Sequence, residues 1–107
     1  MPQPNMQQLL AQAQKMQQEM LAAQEALKDE VVEATAGGGM VRVRVTGDLV
    51  VRSIEIGPEA VDPEDVELLQ DMVLAAVNEA LRSAQELASA KLGGIAGGLG
   101  GLGLPGL

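Results

Sequence analysis

Residues 38–58 constrain the fold of this chain more than any other stretch. Two runs of β-branched residues alternate there with charged residues, and they flank the pair Gly47 and Asp48. Alternation with a period of two on either side of a short turn predicts a β-hairpin. A glycine cluster at residues 37–39 precedes the first run and predicts a second turn. We therefore expect a three-stranded antiparallel meander with strand order 1-2-3.

The turns also predict how the strands pair, because a slip of one residue sends every side chain to the opposite face. A two-residue loop at residues 47–48 pairs Val41 with Ile54. A two-residue loop at residues 37–38 pairs Glu33 with Arg42. Both registers place the same set of residues on one apolar face, namely Val32, Ala34, Val41, Val43, Val45, Val50, Ile54 and Ile56.

The arginines of the strands suggest a phosphate-binding strip, but the predicted register offers another interpretation. Arg42 lies opposite Glu33 and diagonally from Glu55, so cross-strand ion pairs are the favoured explanation. Arg52 falls on the apolar face. We expect its stem to lie over Val43 near an edge, with the guanidinium in water.

The N-terminal segment predicts a helix that runs to about Lys28. Its apolar residues recur with alternating spacings of three and four, which is typical of a helical seam held for three heptads. The remaining faces are rich in glutamine. We expect the seam to pack in the core or against a second copy rather than to form a peptide groove. It is carried by Met6, Leu9, Met16, Met20 and Leu27, with Ala13 and Ala23 between them.

A second helix is predicted to begin at Asp62 as N-cap, with Pro63 in the first helical position. Its apolar side is expected to lie against the sheet, and the helix to end near Lys91. The order helix, three strands, helix predicts an α+β protomer of α-β-β-β-α type over residues 1–92. Residues 93–107 are rich in glycine and leucine, and we expect a flexible tail there.

Composition limits both the core and the available chemistry. The 107 residues include no Phe, Tyr, Trp, Cys or His, so the core is aliphatic and small, and small cores often need a partner subunit. Ser53, Ser83 and Ser89 have no evident activating base. The acidic residues lack the spacing of a calcium loop. We expect no enzymatic activity, cofactor or metal. Without a signal sequence or a membrane-length apolar run, we expect a cytoplasmic protein with no membrane partner.

The net charge of −8 opposes nonspecific binding to nucleic acid, which depends on Lys and Arg contacts to phosphate. Most of the acidity lies in one segment, residues 58–71, which holds six acidic residues and no basic one. Carboxylates are favoured at the N-terminus of a helix, so capping of the second helix explains this segment.

Three segments carry a resemblance to a known family. They read Gly38-Gly39-x-Val41-x-Val43-x-Val45-x-Gly47, Ile54-Glu55-Ile56-x-Pro58 and Leu68-Leu69-x-Asp71-x-Val73-x-Ala75-Ala76-Val77-Asn78-x-Ala80. Together with the first helix and the tail, they resemble the YbaB/EbfC family of bacterial nucleoid-associated proteins over essentially the whole chain. The resemblance implies a nucleoid-associated homodimer, chromosome-bound or regulatory, that binds double-stranded DNA. We expect this binding to be largely without sequence specificity. It also implies that helices projecting from a tweezer-shaped dimer contact the DNA.

Candidate DNA contacts come from charge alone: Lys15 and Lys28 on the first helix, and Arg82 and Lys91 on the second. The competing interpretation of each is a solvated charge or a local pair such as Lys15 with Glu19. The alternative function is a protein-interaction module that serves recombination or DNA-maintenance proteins. Such a module would contact its partner through the acidic segment or the tail.

Overall fold

The computed structural model describes residues 5–100. Its first helix is capped by Asn5, whose side chain accepts a hydrogen bond from the backbone N–H of Gln8 at 2.8 Å. This helix, α1, spans Met6–Leu27. It contains no glycine or proline, and its many Gln, Ala, Leu and Met residues are good helix formers.

Three antiparallel strands follow in the order β1-β2-β3, as predicted. They span β1 Val31–Ala36, β2 Val41–Thr46 and β3 Val51–Ile56. A short 3-10 helix, Pro58–Ala60, leads into the second long helix, α2, which spans Val66–Gly100. The predicted α-β-β-β-α order of an α+β protomer is therefore confirmed.

The predicted strand faces are largely correct, but the predicted register between β1 and β2 is wrong. Ala36 pairs with Val41 and Glu33 with Arg44, because the loop has four residues rather than two. Three consecutive glycines in the left-handed region, Gly37 to Gly39, make this longer loop possible. A shift of two residues returns each side chain to its original face, so the apolar face survives the error.

The predicted register between β2 and β3 is also wrong, for two separate reasons. The loop has three residues, and its last, Leu49, adopts the left-handed conformation with φ 67°. Arg52 then forms a bulge, since Arg44 pairs with Ser53 whereas Val45 pairs with Val51. Either change alone would turn the strand over, and the two together keep Ile54 on the apolar face as predicted. The predicted place of Val50 on that face is wrong, because Val50 precedes the bulge and Val51 pairs with Val45 instead.

The core lies between the sheet and one face of α2, as expected from the apolar pattern of that helix. Val41, Val43 and Val45 in the central strand are fully buried. The helix meets them with a ridge of alanines four residues apart, which lets its backbone approach the sheet closely. That ridge is Ala76, Ala80 and Ala84, with Met72 preceding it.

Both predicted ends of α2 are wrong. Asp65, not Asp62, caps the helix and accepts a hydrogen bond from Leu68 N–H at 3.2 Å, while Asp62 caps the preceding turn. The helix continues past Lys91 to Gly100. Each glycine weakens a helix by about 1 kcal/mol but still has a backbone N–H to donate to the preceding turn. In the sequence after Lys91, the first residue without a backbone N–H is Pro105. The division at residue 92 stays a prediction, and residues 101–107 of the expected tail lie outside the described residues.

The variant Gly47→Ala is expected to lower the free energy of unfolding by about 1–3 kcal/mol. A β-carbon at Gly47 would lie 2.8 Å from the backbone oxygen of Leu27, and backbone cannot move aside cheaply. The matched control is Gly93→Ala, where no atom lies within 4 Å and the residue is helical. Gly93→Ala should raise the free energy of unfolding by about 0.5–1 kcal/mol. Urea midpoints at one protein concentration measure both, and equal effects would contradict this explanation.

Candidate nucleic-acid interface

The N-terminal part of α1, residues 6–22, projects as an arm from the rest of the protomer. None of its residues is buried, whereas Ala23 and Leu27 in its last turns are. The molecule measures 74 × 25 × 16 Å, an elongation that fits two long helices on a small sheet. The arm is lined with glutamine and carries one base, Lys15, and one acid, Glu19.

Three of the four predicted DNA contacts form ion pairs with glutamates. Lys28 lies 3.0 Å from Glu25, and Arg82 lies 2.9 Å from Glu79, each one helical turn away. Lys91 reaches Glu30 at 2.7 Å, 61 residues away in sequence. Lys15, on the arm, forms no ion pair with any residue that the structure describes, including Glu19, its predicted partner.

The structure brings only two of these candidates to one region. Lys28 ends α1, and Lys91 contacts Glu30 just beyond it, so both lie where α1 joins the sheet. Arg82 and Lys91 are nine residues apart in α2, which places them on opposite faces of the helix. Lys15 lies about 20 Å along α1 from Lys28. One protomer therefore does not assemble these bases into a compact patch.

The Lys28 ammonium is fixed in its charged form at neutral pH. A hydrogen bond from Lys28 to the Glu25 carboxylate, together with the charge of that carboxylate, raises the pKa of Lys28 above its usual value. Its charge is thus partly offset by Glu25 before any phosphate arrives.

The outer face of the sheet is a network of charges, but its centre differs from the prediction. Arg44, not Arg42, bridges the strands, at 3.4 Å from Glu33 and 3.5 Å from Glu55. The shift of register explains the change, because it places Arg44 opposite Glu33. Among the described residues, Arg42 has no ion pair within 4.0 Å.

An apolar groove runs between β3 and α2 on the core side of the sheet. It has a volume of about 450 Å³ and is almost wholly apolar. The helix covers β1 and β2 but leaves β3 open, so Ile54 and Ile56 stay 45% and 42% exposed. Leu74 is 60% exposed. The helix side of the groove consists of Leu69, Gln70, Val73, Leu74 and Val77.

The predicted apolar seam of α1 divides into two parts. Leu27 is 4% exposed and packs within the protomer. Met16 and Met20 are half-buried, whereas Met6 and Leu9 are exposed. The seam as a contact between two copies stays a prediction.

No group of acidic side chains among residues 5–100 has the geometry to hold a metal ion. Neither helix there is long and apolar enough over its length to cross a membrane.

Two residues with a clear structural role were missed by the sequence reasoning. The sequence analysis assigns Glu30 no role, yet it binds Lys91. Arg52 was expected to reach water over Val43, but its Nη2 donates to the backbone oxygen of Lys28 at 3.3 Å. No local sequence signal predicts either contact, because their partners lie 61 and 24 residues away.

Comparison with known proteins gives a consistent result along the chain. A sequence model described as the YbaB/EbfC DNA-binding family matches residues 1–99. A nucleoid-associated protein of Streptomyces avermitilis is 58% identical over 105 residues, covering 98% of this chain and 93% of that protein. One from Alkaliphilus metalliredigens is 53% identical over 104 residues, covering 97% of this chain and 89% of that protein.

The fold also matches a solved structure. The crystal structure of the uncharacterized Helicobacter pylori protein HP0035 superposes with a TM-score of 0.77 at 23% identity. The match covers 88% of this chain and 99% of that one. At this identity the likeness shows the shared fold alone.

Proposed function

The chain belongs to the YbaB/EbfC DNA-binding family, and from that premise we propose that it binds double-stranded DNA as a homodimer, largely without sequence specificity. It would act in the cytoplasm, on the nucleoid, as a chromosome-associated or regulatory protein. The observation that carries the proposal is the family match over residues 1–99. The exposed arm of α1 indicates where the DNA would be held.

The open groove between β3 and α2 supports the homodimer. Its residues Leu69, Val73 and Val77 also pack against the protomer's own core, so a second copy would extend that core across the interface. Burying a half-exposed aliphatic side chain stabilises by about 1 kcal/mol. In a twofold dimer every such contact occurs twice.

The composition of the arm supports contact with phosphates rather than with base edges. Glutamine side chains and lysine both donate hydrogen bonds to phosphate oxygens, and such contacts carry no sequence information. The arm offers six glutamines and Lys15 but no cluster of arginines to read guanine.

The position of the acidic segment reduces its effect on the arm. Asp71 and Lys91 are 20 residues apart in α2, which corresponds to about 30 Å. Lys91 lies at the base of the arm, so Asp71 lies several Debye lengths away from that base at physiological salt. The net charge of −8 therefore does not exclude a DNA-binding surface on the helices.

Fluorescence anisotropy with labelled duplexes tests the proposal. At about 50 mM salt, unrelated duplexes of equal length should bind the full chain with dissociation constants within a few-fold of one another. A preference of about 1,000-fold for one sequence would contradict nonspecific binding. Failure of every duplex to bind would contradict the function itself.

Among single-charge changes, Lys15→Gln is expected to weaken DNA binding most, by roughly tenfold per dimer, with a salt dependence shallower by about 2. Lys15 is free of ion pairs within the described chain, so its full charge is available to phosphate. Lys28→Gln is the control, because Glu25 already offsets that charge and the loss should be smaller. Equal losses of DNA affinity in the two variants would show that a local ion pair does not determine how much a lysine contributes to binding.

The exposed apolar face of the arm favours a second candidate function, contact with another protein. Met6, Leu10 and Leu21 are 74%, 56% and 58% exposed, and DNA phosphates gain little from them. The acidic segment at residues 58–71, or the tail, would supply further contacts. Crosslinking in cells with and without nuclease separates the two functions. Partners that persist after nuclease treatment favour the protein contact.

A further inference from the structure

The direction of the arm is determined at one end only. No residue in 6–22 is buried and only Met16 and Met20 are half-buried, so packing along the arm contributes little to fixing its angle to the sheet. From Leu27 to Met6 the helix extends about 30 Å, so a tilt of 10° at its base moves the tip by about 5 Å. That displacement is close to the width of the DNA minor groove, about 6 Å.

Three polar contacts from three separate elements hold the base of the arm. Gly47 N–H, in the β2–β3 turn, donates to the backbone oxygen of Glu30 at 2.8 Å. Arg52, at the β3 bulge, donates to the oxygen of Lys28 at 3.3 Å. Lys91 of α2 donates to the Glu30 carboxylate at 2.7 Å.

Apolar packing at the base of the arm is incomplete, so the three polar contacts are needed to hold it. An open, mostly apolar cleft of about 260 Å³ lies beside the contact between the end of α1, the hairpin turn and α2. Its walls include Leu27, Leu49 and Leu92. The second carboxylate oxygen of Glu30 is buried and has no hydrogen-bond partner among the described residues. Lys91 is thus the group that compensates the Glu30 charge.

We propose that Glu30, Lys91 and Arg52 are positioning residues that hold the α1 arm at the angle at which it meets DNA. This inference rests on the proposed function for its DNA part. It assigns Lys91 a different role from that of a phosphate contact, since its charge is engaged by Glu30. Glu30, an acidic residue, would then favour DNA binding although its charge repels phosphate.

Spin labels measure the angle of the arm without DNA. The chain contains no cysteine, so Gln8→Cys on the arm and Thr35→Cys on the exposed sheet face accept labels uniquely. Labelled chains diluted into unlabelled ones report distances within one protomer. We expect one narrow distance in the parent protein. Glu30→Gln and Arg52→Ala should each broaden or shift it by several ångströms, and unchanged distances in both would overturn the proposal.

DNA affinity supplies a second readout, whose sign separates positioning from charge. Glu30→Gln makes the protein less negative, so electrostatics alone would tighten binding, whereas loss of positioning should weaken it several-fold. The control Glu86→Gln removes the same charge from an exposed residue of α2 and should not weaken binding. The swapped pair Glu30→Lys with Lys91→Glu keeps the net charge and should restore both the distance and the affinity.

Each result decides one claim. Tighter DNA binding by Glu30→Gln, or no rescue by the swapped pair, would overturn the positioning role. If the parent protein binds no duplex, the proposed function fails, and the label distances still decide whether these residues hold the arm. Circular dichroism shows whether each variant is folded. If Glu30→Gln does not fold, Arg52→Ala provides the test, because Arg52 is exposed and its loss should leave the fold intact.

Discussion

The variant Leu74→Glu is expected to be monomeric and to lose about two orders of magnitude in affinity for duplex DNA. Leu74 is 60% exposed in the protomer, so the fold should tolerate glutamate. In the proposed dimer the carboxylate would enter an apolar groove beside Val73 and Val77, and twofold symmetry would place it there twice. Two linked arms bind DNA together, and separation of the arms removes that gain, which typically reaches 10²–10⁴.

Light scattering gives the oligomeric state of this variant, and anisotropy gives its DNA affinity. Ala75→Glu is the matched control, since it adds the same charge to an exposed residue on the other flank of α2. The control should remain dimeric with an affinity near that of the parent. A Leu74→Glu protein that stays dimeric would show that the groove is not the interface.

Ala80→Leu is expected to destabilise the fold by about 2–3 kcal/mol, a large part of the stability of a small domain. Ala80 is fully buried in one cluster with Val43 and Val45, and the alanine ridge allows the helix to lie close to the strands. Three extra carbons must either push α2 away from the sheet or adopt strained rotamers.

Urea unfolding at one protein concentration measures this loss, because the stability of a dimer depends on concentration. Ala75→Leu places the same side chain on an exposed position of the same helix and should change the stability by less than about 0.5 kcal/mol. Similar unfolding midpoints for the two variants would contradict close helix-to-sheet packing at Ala80.

The strand faces were predictable from sequence because side chains alternate strictly along a strand. Val41, Val43 and Val45 follow that period and are all fully buried. The registers were not predictable, because the glycines at residues 37–39 permit loops of two or four residues. Arg52 breaks the alternation by falling on the predicted apolar face, but such a break fits an exposed edge residue as well as a bulge. The faces survived in β1 and at Ile54 and Ile56, where the register errors amounted to two residues, but not at Val50, where the error was one.

The first helix of the candidate site was predictable from sequence, but the ion pairs of its bases were not. The sequence correctly identified a Gln-rich first helix, and the structure shows that most of it is exposed. It did not identify which bases are engaged by glutamates. Lys28 and Arg82 have acids three residues away, which local spacing allows, but the partner of Lys91 lies 61 residues distant. Such a pair is determined only by how α2 crosses the base of α1.

The salt dependence of duplex binding tests the central claim most directly, namely that this acidic protein holds DNA through phosphate contacts from its helices. Because Glu30 engages Lys91, the phosphate contacts left are Lys15, Lys28 and Arg82 in each of two protomers, so two to six phosphates would be neutralised. The logarithm of the binding constant should then fall against the logarithm of salt concentration with a slope between about −2 and −5. Binding that does not change with salt, or no binding at about 50 mM salt, would contradict the claim.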